Sequence, residues 1–365
     1  MKPGIEVLAE KEPQLVAGKR VGLIMNPTAV DSHLRSDVDV LRSIPGVKIV
    51  ALFAGEHGLW GAEPDGKKLD GSIDPYTGAP VYSLYGATLA PKPEWLQGVD
   101  VLIFDIQNSG SALYTFKYTM SFAMEAAAKA GVPFIVLDRP NPAGGDVVEG
   151  PMMPAHDIWR HPLPLRHGMT NGELATMWNE EYHFGAKLTV VKMEGWRRDM
   201  TWDETGLPWV APSPNLPTAD TDLAYVGEVL LESTPGVSVG RGTAKPFLTV
   251  GAPGVDAMKA AADLNARHLP GVIFRPAYFQ PNSGEKLGGQ MCGGVEIYFT
   301  DRKAYRAVPT TLSIVDALRN AGGTGIGNPG GPMVAPGAST LQDKLAAYQT
   351  TIQQFLQVRQ KYLLY

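Results

Sequence analysis

The chain has 365 residues, 44% of them hydrophobic, and is longer than the ~250–300 residues at which single cores stop growing, so two domains are expected. Its net charge of -5, without a basic run, argues against a nucleic-acid partner. The only cysteine, Cys292, excludes an internal disulfide and a cysteine-rich metal site. No apolar run reaches the ~18 residues of a membrane span, so no membrane insertion is expected.

The N-terminal sequence bears on localisation. Met1-Lys2-Pro3-Gly4 is not followed by the apolar segment of a signal peptide. We therefore expect a cytoplasmic protein, or a periplasmic or secreted one whose signal has been removed. The sequence does not indicate an oligomeric state.

The first half of the chain alternates strand and helix patterns. Strands are predicted at 19–26, 47–54, 100–107 and 134–139, with helices at 31–44 and 114–130. Such alternation predicts a parallel sheet with right-handed crossovers, and the continuously apolar strands indicate that both sheet faces are covered. The expected fold is α/β, with a Rossmann-like sheet domain.

The second half does not alternate in this way and is predicted to be a smaller α+β domain. Thr170 and Glu173 form the sequence pattern of a capping box. A linker is predicted at 151–164, which divides the chain into domains 1–160 and 161–365. The predicted strands are 188–193, 272–279 and 294–300, and the predicted helices are 170–182, 220–232, 255–268, 310–320 and 340–362.

Polar residues follow each of the four N-terminal strands, where the apolar run ends. Because parallel strands share one carboxyl edge, and ligands of open α/β sheets bind there, these side chains are expected to converge on one site. Each of them alone is also compatible with a turn residue or a helix cap. The residues are Asn26, Glu56, His57, Asp105, Gln107, Asp138, Arg139 and Asn141.

Several common site motifs are absent. The chain has no Gly-x-Gly-x-x-Gly after the first strand, no Gly-Lys-Ser/Thr and no Gly-x-Ser-x-Gly, which disfavours dinucleotide, P-loop and α/β-hydrolase sites. His156, His161 and His167 lack metal-ligand spacing, so no metal site is expected.

The second half adds further candidate binding residues. Arg241 lies between glycines, which suits an anion-binding guanidinium, although a structural salt bridge is the alternative. The other candidates are Arg166 and His167 before a predicted helix, and Ser213 and Asn215 in a proline-rich loop.

Taken in order, these motifs resemble the exo-β-N-acetylmuramidases of the NamZ type, a bacterial family formerly catalogued as a domain of unknown function. The resemblance spans essentially the whole chain. It rests on residues 18–28, 55–58, 80–86, 104–107, 136–142, 148–151, 166–170, 212–215, 240–243 and 292–295.

The resemblance implies a Rossmann-like N-terminal domain that carries the site and a C-terminal domain that closes the cleft. The implied activity removes terminal β-linked N-acetylmuramic acid from the non-reducing end of peptidoglycan fragments. A peptidoglycan-derived saccharide is therefore the expected partner, and no cofactor is required. Glu56 is the leading catalytic carboxylate.

Glycosidases usually use two carboxyl groups, so a partner for Glu56 is expected. Glu56 is predicted to be the general acid, and His57 to orient it or bind a sugar hydroxyl. Glu149, Asp105 and Asp138 are the candidates for the second carboxylate, with Glu149 preferred. The lactyl carboxylate of the sugar requires a cation, for which the candidates are Arg139, Arg166 and Arg241.

The chain departs from the family pattern at three places around the predicted site. Lys67 and Val239 replace glutamates, and residues 108–112, which end in Ala112, lack an aspartate and an arginine. These differences bear on substrate specificity and turnover. A carbohydrate-binding or scaffold protein on the same fold is therefore the alternative to a hydrolase.

Overall fold

The computed structural model describes residues 1–62, 72–330 and 341–365. Most of the described strands belong to one large sheet. In chain order they are β1 (Arg20–Met25), β2 (Lys48–Ala54), β3 (Ser72–Ile73), β4 (Pro80–Ser83), β5 (Val101–Asp105), β6 (Phe134–Leu137), β7 (Glu149–Met153), β8 (Leu163–Arg166), β9 (Leu188–Val191), β10 (Thr249–Ala252), β11 (Val272–Phe279) and β12 (Cys292–Phe299).

The helices vary from one turn to 19 residues. Within the described residues, none is both long enough and apolar enough to cross a bilayer. They are α1 (Gly4–Lys11), α2 (Asp37–Arg42), α3 (Phe116–Ala130), α4 (Asn171–Glu181), α5 (Trp202–Thr205), α6 (Ala219–Glu228), α7 (Ala257–Ala266), α8 (Ala307–Asn320) and α9 (Leu341–Arg359), with 3-10 turns at Pro13–Leu15, Pro93–Leu96, Val229–Leu231 and Gln360–Tyr362.

The large sheet has seven strands in the order β3-β4-β2-β1-β5-β6-β9. All neighbouring pairs are parallel except β3 and β4. The second half contributes a three-stranded antiparallel sheet, β10-β12-β11, and β7 and β8 form a separate antiparallel pair. The predicted combination of a Rossmann-like parallel sheet with a smaller α+β part is confirmed.

Both faces of the large sheet are buried at β1, β5 and β6, as the apolar strands predict. In β5, Val101 and Ile103 belong to one hydrophobic cluster, whereas Leu102 and Phe104 belong to the other, because successive side chains point to opposite faces. The second cluster continues through α6 and α8 into the antiparallel sheet. The two halves of the chain therefore share a continuous core.

The domain boundary predicted at 160 does not coincide with the edge of the large sheet. β9 lies beyond that boundary and pairs in parallel with β6. The predicted linker at 151–164 overlaps the β7–β8 pair, whose main-chain groups are hydrogen-bonded to each other. The segment thus contains paired strands, and the domain boundary at residue 160 stays a prediction.

One predicted helix is shorter in the structure. The pattern predicts a helix at 31–44, but α2 begins at Asp37, and Ser36 caps it by accepting a hydrogen bond from Val38 N. Asp31 instead accepts bonds from the backbone N–H groups of His33 and Arg35, at 2.9 and 2.8 Å. Asp31, at the predicted start of the helix, thus stabilises the loop that precedes α2.

The end of β2 lies in close contact with the start of α3. A Cβ atom built on Gly55 would lie 2.9 Å from Cδ1 of Phe116, whose ring is fully buried. Only glycine allows the chain to leave β2 this close to the helix. This contact determines the position of the backbone that carries Glu56, the residue after Gly55.

We expect Gly55→Ala to lower the free energy of unfolding by about 1–3 kcal/mol, because the added methyl group overpacks the contact with Phe116. Gly284→Ala is the matched control, since no heavy atom lies within 4 Å of its added Cβ and its φ is not in the left-handed region. The control is expected to stay within about 1 kcal/mol of the wild type. Denaturant unfolding of both variants tests this, and equal stabilities would contradict it.

Candidate active site

Glu56 lies immediately beyond the carboxyl end of β2 and is half-buried. One of its oxygens, Oε2, accepts a hydrogen bond of 2.9 Å from the hydroxyl of Thr115. Thr115 is the residue that precedes α3. The carboxyl group is thus held by the neighbouring helix start while it keeps access to solvent.

His57 has a left-handed backbone conformation, with φ of 67°. Its side chain lines a cavity of about 220 Å³ with Trp60, Asp74 and Ser83, among others. Glu56 is not among the residues that line this cavity. Glu56 and His57 are therefore adjacent in the chain but have different neighbours. Thr115 binds Glu56, whereas His57 lines the cavity.

An aromatic pair lies beside Glu56. The ring of Tyr225, on α6, packs edge-on against Tyr114 with ring centroids 5.8 Å apart. Burial raises the pKa of Tyr225 well above its ordinary value, and the nearby charges of Glu232, Asp222 and Glu56 raise it further. The charges of Glu56 and Glu232 therefore both act on the Tyr225 hydroxyl.

A buried polar cluster lies beneath these residues. The Lys117 ammonium is fully buried and donates to the carbonyl oxygens of Ser111 and Tyr114, at 2.6 and 2.8 Å. Burial lowers the pKa of Lys117 to about 7, and the nearby Asp222 opposes this shift. Burial also raises the pKa of Asp222 to about 7, against the effects of Ser109 and Lys117.

Sequence reading missed Thr115, Tyr225, Lys117 and Asp222. A signal for Thr115 existed, because a threonine at a predicted helix start is a candidate polar contact. No local signal pointed to Tyr225 or Asp222, which come from a helix more than 100 positions later in the chain. Their proximity to Glu56 results from packing of α6 against the first half.

Asp105, the last residue of β5, and Arg139, which follows β6, form a buried ion pair. Arg139 Nη2 lies 2.9 Å from Asp105 Oδ2 and 2.8 Å from the carbonyl oxygen of Val30. Asp37 lies 3.9 Å from the same nitrogen, and burial, followed by the charge of Asp105, raises its pKa well above the ordinary value. The guanidinium is thus engaged by internal groups.

Asp138 is fully buried and supports the start of α4. It accepts hydrogen bonds from Thr170 Oγ1, Gly172 N and the Tyr365 hydroxyl at 2.7–2.8 Å. Burial raises the pKa of Asp138 to about 7, although these hydrogen bonds oppose the shift. The predicted capping box of Thr170 and Glu173 is confirmed in this helix.

Three predicted amides are also buried and bonded within the protein. Asn26 Nδ2 donates to the carbonyl oxygen of Pro212 at 3.3 Å. Gln107 Nε2 donates to Asn108 O and Pro140 O, at 2.9 and 2.8 Å. Asn141 Nδ2 donates to the Met169 carbonyl oxygen at 3.0 Å. These groups connect loops at the carboxyl edge of the sheet.

Glu149 is buried between Arg166 and the first turn of α8. Its carboxylate accepts from Arg166 Nη1 and Ala307 N, both at 2.9 Å, and from Val308 N at 3.3 Å. An anion at a helix N-terminus is favoured by the helix dipole. Both Glu149 oxygens therefore have structural partners, and its role as a second catalytic carboxylate stays a prediction.

The other candidates of the second half differ in burial. His167 is buried, and burial followed by the charges of Lys117 and Arg359 lowers its pKa well below the ordinary value, so its imidazole is neutral. Ser213 and Asn215 are half-buried on a turn in which Leu216 N donates to Ser213 O.

Arg241 lies at the edge of a cavity of about 210 Å³. Its guanidinium contacts Glu232 at 2.8 Å and Glu285 at 3.2 Å, and about a quarter of the side chain is exposed. Val239, one of the departures from the family pattern, lines the same cavity. Ala112 is buried with its N–H bonded to Leu165 O, and Lys67 lies outside the described residues.

One cluster of the described part of the chain has the composition of a cation site. Ligand atoms of Glu6, Asp31 and His33 lie within 4.8 Å of one another. Arg35 Nε already contacts Asp31 Oδ2 at 2.9 Å, and Ser32 N donates to Glu6. The cluster contains none of the residues predicted for the active site.

Fold and site together define a two-domain α/β protein with a half-buried acid at a strand end, next to a helix of the second half. The N-terminal family model of exo-beta-N-acetylmuramidase NamZ matches residues 21–220, and the C-terminal model matches residues 223–328. The chain therefore belongs to the NamZ family, as its motifs predicted. The two models meet at α6, later in the chain than the predicted boundary at residue 160.

Relatives and solved structures resemble the whole chain. The peptidoglycan beta-N-acetylmuramidase NamZ of Bacillus subtilis (strain 168) is 44% identical over 380 residues, covering 100% of this chain and 91% of the relative. Two crystal structures of DUF1343 family proteins from Bacteroides fragilis are similar over 100% of this chain and 98% of theirs. Their TM-scores are 0.89 and 0.78, at 36% and 27% identity.

We expect Glu149→Gln to lower the free energy of unfolding by about 3–5 kcal/mol, because it leaves the buried Arg166 guanidinium without its anion. The control Glu194→Gln removes an exposed partner of Lys11 and is expected to cost at most about 1 kcal/mol. Thermal and denaturant unfolding measure both. A Glu149→Gln variant as stable as the control would rule out this structural role.

Glu228 is fully buried on α6 and accepts a hydrogen bond from the hydroxyl of Thr311. Burial raises the pKa of Glu228 to about 8, so the folded state retains a proton that the unfolded state releases at lower pH. Stability from this group is present at acidic pH and is lost as pH rises through about 8.

The Glu228→Gln variant is therefore expected to lose less stability than the wild type between about pH 5 and about pH 8, by a few kcal/mol. Denaturant unfolding at both pH values gives the comparison. Glu125→Gln, which alters a partly exposed acid paired with Lys129 and Arg160, is expected to keep the wild-type pH dependence. Parallel pH curves for the wild type and Glu228→Gln would contradict the prediction.

Proposed function

We propose that this protein is a glycoside hydrolase that removes terminal β-linked N-acetylmuramic acid from the non-reducing end of peptidoglycan-derived saccharides. The observation that carries the proposal is the half-buried Glu56 carboxyl group, held by Thr115 beside Tyr225. Membership of the NamZ family and the name of the Bacillus subtilis relative support the substrate class.

Glu56 acts as the general acid in this proposal. Cleavage of a glycosidic bond requires protonation of the leaving oxygen as positive charge develops on the sugar ring. The Thr115 hydroxyl binds Oε2 and fixes the plane of the carboxyl group, which leaves Oε1 to carry the proton. A positioned acid of this kind accelerates the reaction by about 10²–10⁴-fold.

Among the predicted cations, Arg241 is the best candidate to bind the lactyl carboxylate. Arg139 and Arg166 are almost completely buried in internal ion pairs. Arg241 is partly exposed, lines a cavity, and contacts Glu232, whose charge also reaches Tyr225 near Glu56. A partly exposed ion pair is weak enough for a substrate carboxylate to replace one of its acids.

The three predicted candidates for a second carboxylate all have internal partners. Asp105 pairs with Arg139, Asp138 supports α4, and Glu149 binds Arg166 and the start of α8. The proposal therefore assigns proton donation to Glu56 and gives the other three acids a structural role.

Glu56→Gln is expected to reduce release of chromophore from a chromogenic β-N-acetylmuramide by at least about 10²-fold, because the amide cannot donate the proton. Glu149→Gln, assayed below its unfolding temperature, is expected to keep a near wild-type kcat. Circular dichroism of both variants confirms that they are folded.

The matching β-N-acetylglucosaminide is the substrate control. Release from this sugar alone would contradict the proposed specificity. Wild-type protein that binds the muramide but releases no chromophore would instead identify a carbohydrate-binding protein. Full activity of Glu56→Gln would overturn the assignment of Glu56.

A further inference from the structure

The hydroxyl of Thr115 does not cap the helix that Thr115 precedes. Thr115 is the N-cap residue of α3, where a threonine side chain ordinarily accepts a hydrogen bond from an N–H of the first helical turn. Its φ and ψ of -79° and -30° are helical, and its side chain makes no such bond. The hydroxyl instead donates to Glu56.

Asn108 provides the missing cap from the loop after β5. Its Oδ1 accepts a hydrogen bond of 3.1 Å from the backbone N–H of Lys117, the second residue of α3. Its Nδ2 donates to Asn171 Oδ1 at 2.7 Å, and Asn171 in turn donates to Ile106 O. Capping by a distant residue releases the Thr115 hydroxyl for the contact with Glu56.

The position of the Lys117 ammonium is energetically unfavourable for a positive charge. It is fully buried and belongs to the first turn of α3, where the helix dipole disfavours a positive charge. Its hydrogen bonds to Ser111 O and Tyr114 O offset this cost and join the two ends of the turn that leads to Thr115. Asp222 of α6 supplies the nearby negative charge.

We propose that Lys117 is a positioning residue for the reaction. By holding the carbonyl groups of Ser111 and Tyr114, it fixes the turn from which Thr115 orients Glu56. This inference rests on the proposed function of Glu56 as the acid. Lys117 itself does not contact Glu56, so its effect on the reaction passes through Thr115.

This arrangement predicts that changes at Lys117 and Thr115 are not independent. Removal of either residue abolishes the same oriented hydrogen bond to Glu56. When both residues are replaced, no further hydrogen bond is lost. The effects of the two substitutions on kcat are therefore non-additive. A residue with a purely structural role would change stability, and its effect on kcat would multiply with that of Thr115.

The test is a double-mutant cycle on the full-length protein with a chromogenic β-N-acetylmuramide. Thr115→Val and Lys117→Met are each expected to lower kcat by about 10–100-fold, the value of a hydrogen bond to a charged group, with KM changed less than about threefold. The double variant is expected to lie within about twofold of the slower single variant. Thr115→Ser, which keeps the hydroxyl, is expected to recover most of the rate.

Lys129→Met is the matched control, because Lys129 lies in the last turn of the same helix with an exposed side chain. It is expected to leave kcat and KM unchanged. Should Lys117→Met not fold, Lys117→Gln takes its place in the cycle, since the shorter amide loses the two carbonyl contacts with less disturbance of the core.

Wild-type kcat in a folded Lys117 variant, or a double variant whose loss equals the product of the single losses, would overturn the positioning role. A failure of the proposed function has a different signature. In that case Glu56→Gln retains wild-type turnover. An inactive Glu56→Gln together with a fully active Lys117→Met would overturn only the role of Lys117.

Discussion

The buried Asp105–Arg139 ion pair determines how much of the sheet edge is available for a site. It lies at the carboxyl ends of the neighbouring strands β5 and β6, and Arg139 also contacts the main chain of Val30 after β1. A buried pair pays a large desolvation penalty and is stable only when its remaining hydrogen-bonding groups are satisfied. Asp105 and the carbonyl oxygen of Val30 bind the Arg139 guanidinium at the edge where an open α/β sheet commonly binds a ligand.

The candidate site is accordingly displaced toward β2. Glu56 is half-exposed there, and it directly follows Gly55, which lies against Phe116 at the start of α3. The continuous core between the sheet and α6 then places Tyr225 beside Glu56. The site is thus assembled from one strand end, one helix start and one helix of the second half, and its geometry depends on packing between the two halves.

The parallel sheet of N-terminal strands and the capping box were predictable, because apolar periodicity and capping patterns are local in sequence. The roles of the polar strand ends were not equally predictable. Residue type shows that Asp138 follows a strand, but not that Tyr365 and the start of α4 will cover it. Likewise, the residue type of Asn26 does not show that its amide will donate to the carbonyl oxygen of Pro212 in a distant loop. What covers a strand end comes from distant segments.

Burial separates the polar strand ends into two chemical classes. A carboxylate such as Asp138, whose oxygens accept several internal hydrogen bonds, cannot approach a substrate without losing them. Glu56 has one oxygen held by Thr115 and remains half-exposed, which combines fixed orientation with access to a leaving group. A fixed orientation of Glu56 requires a hydrogen-bond donor that does not already serve another group. Asn108 meets this requirement by capping α3 in place of Thr115, so the stability of a helix start and the geometry of the proposed acid depend on the same few residues.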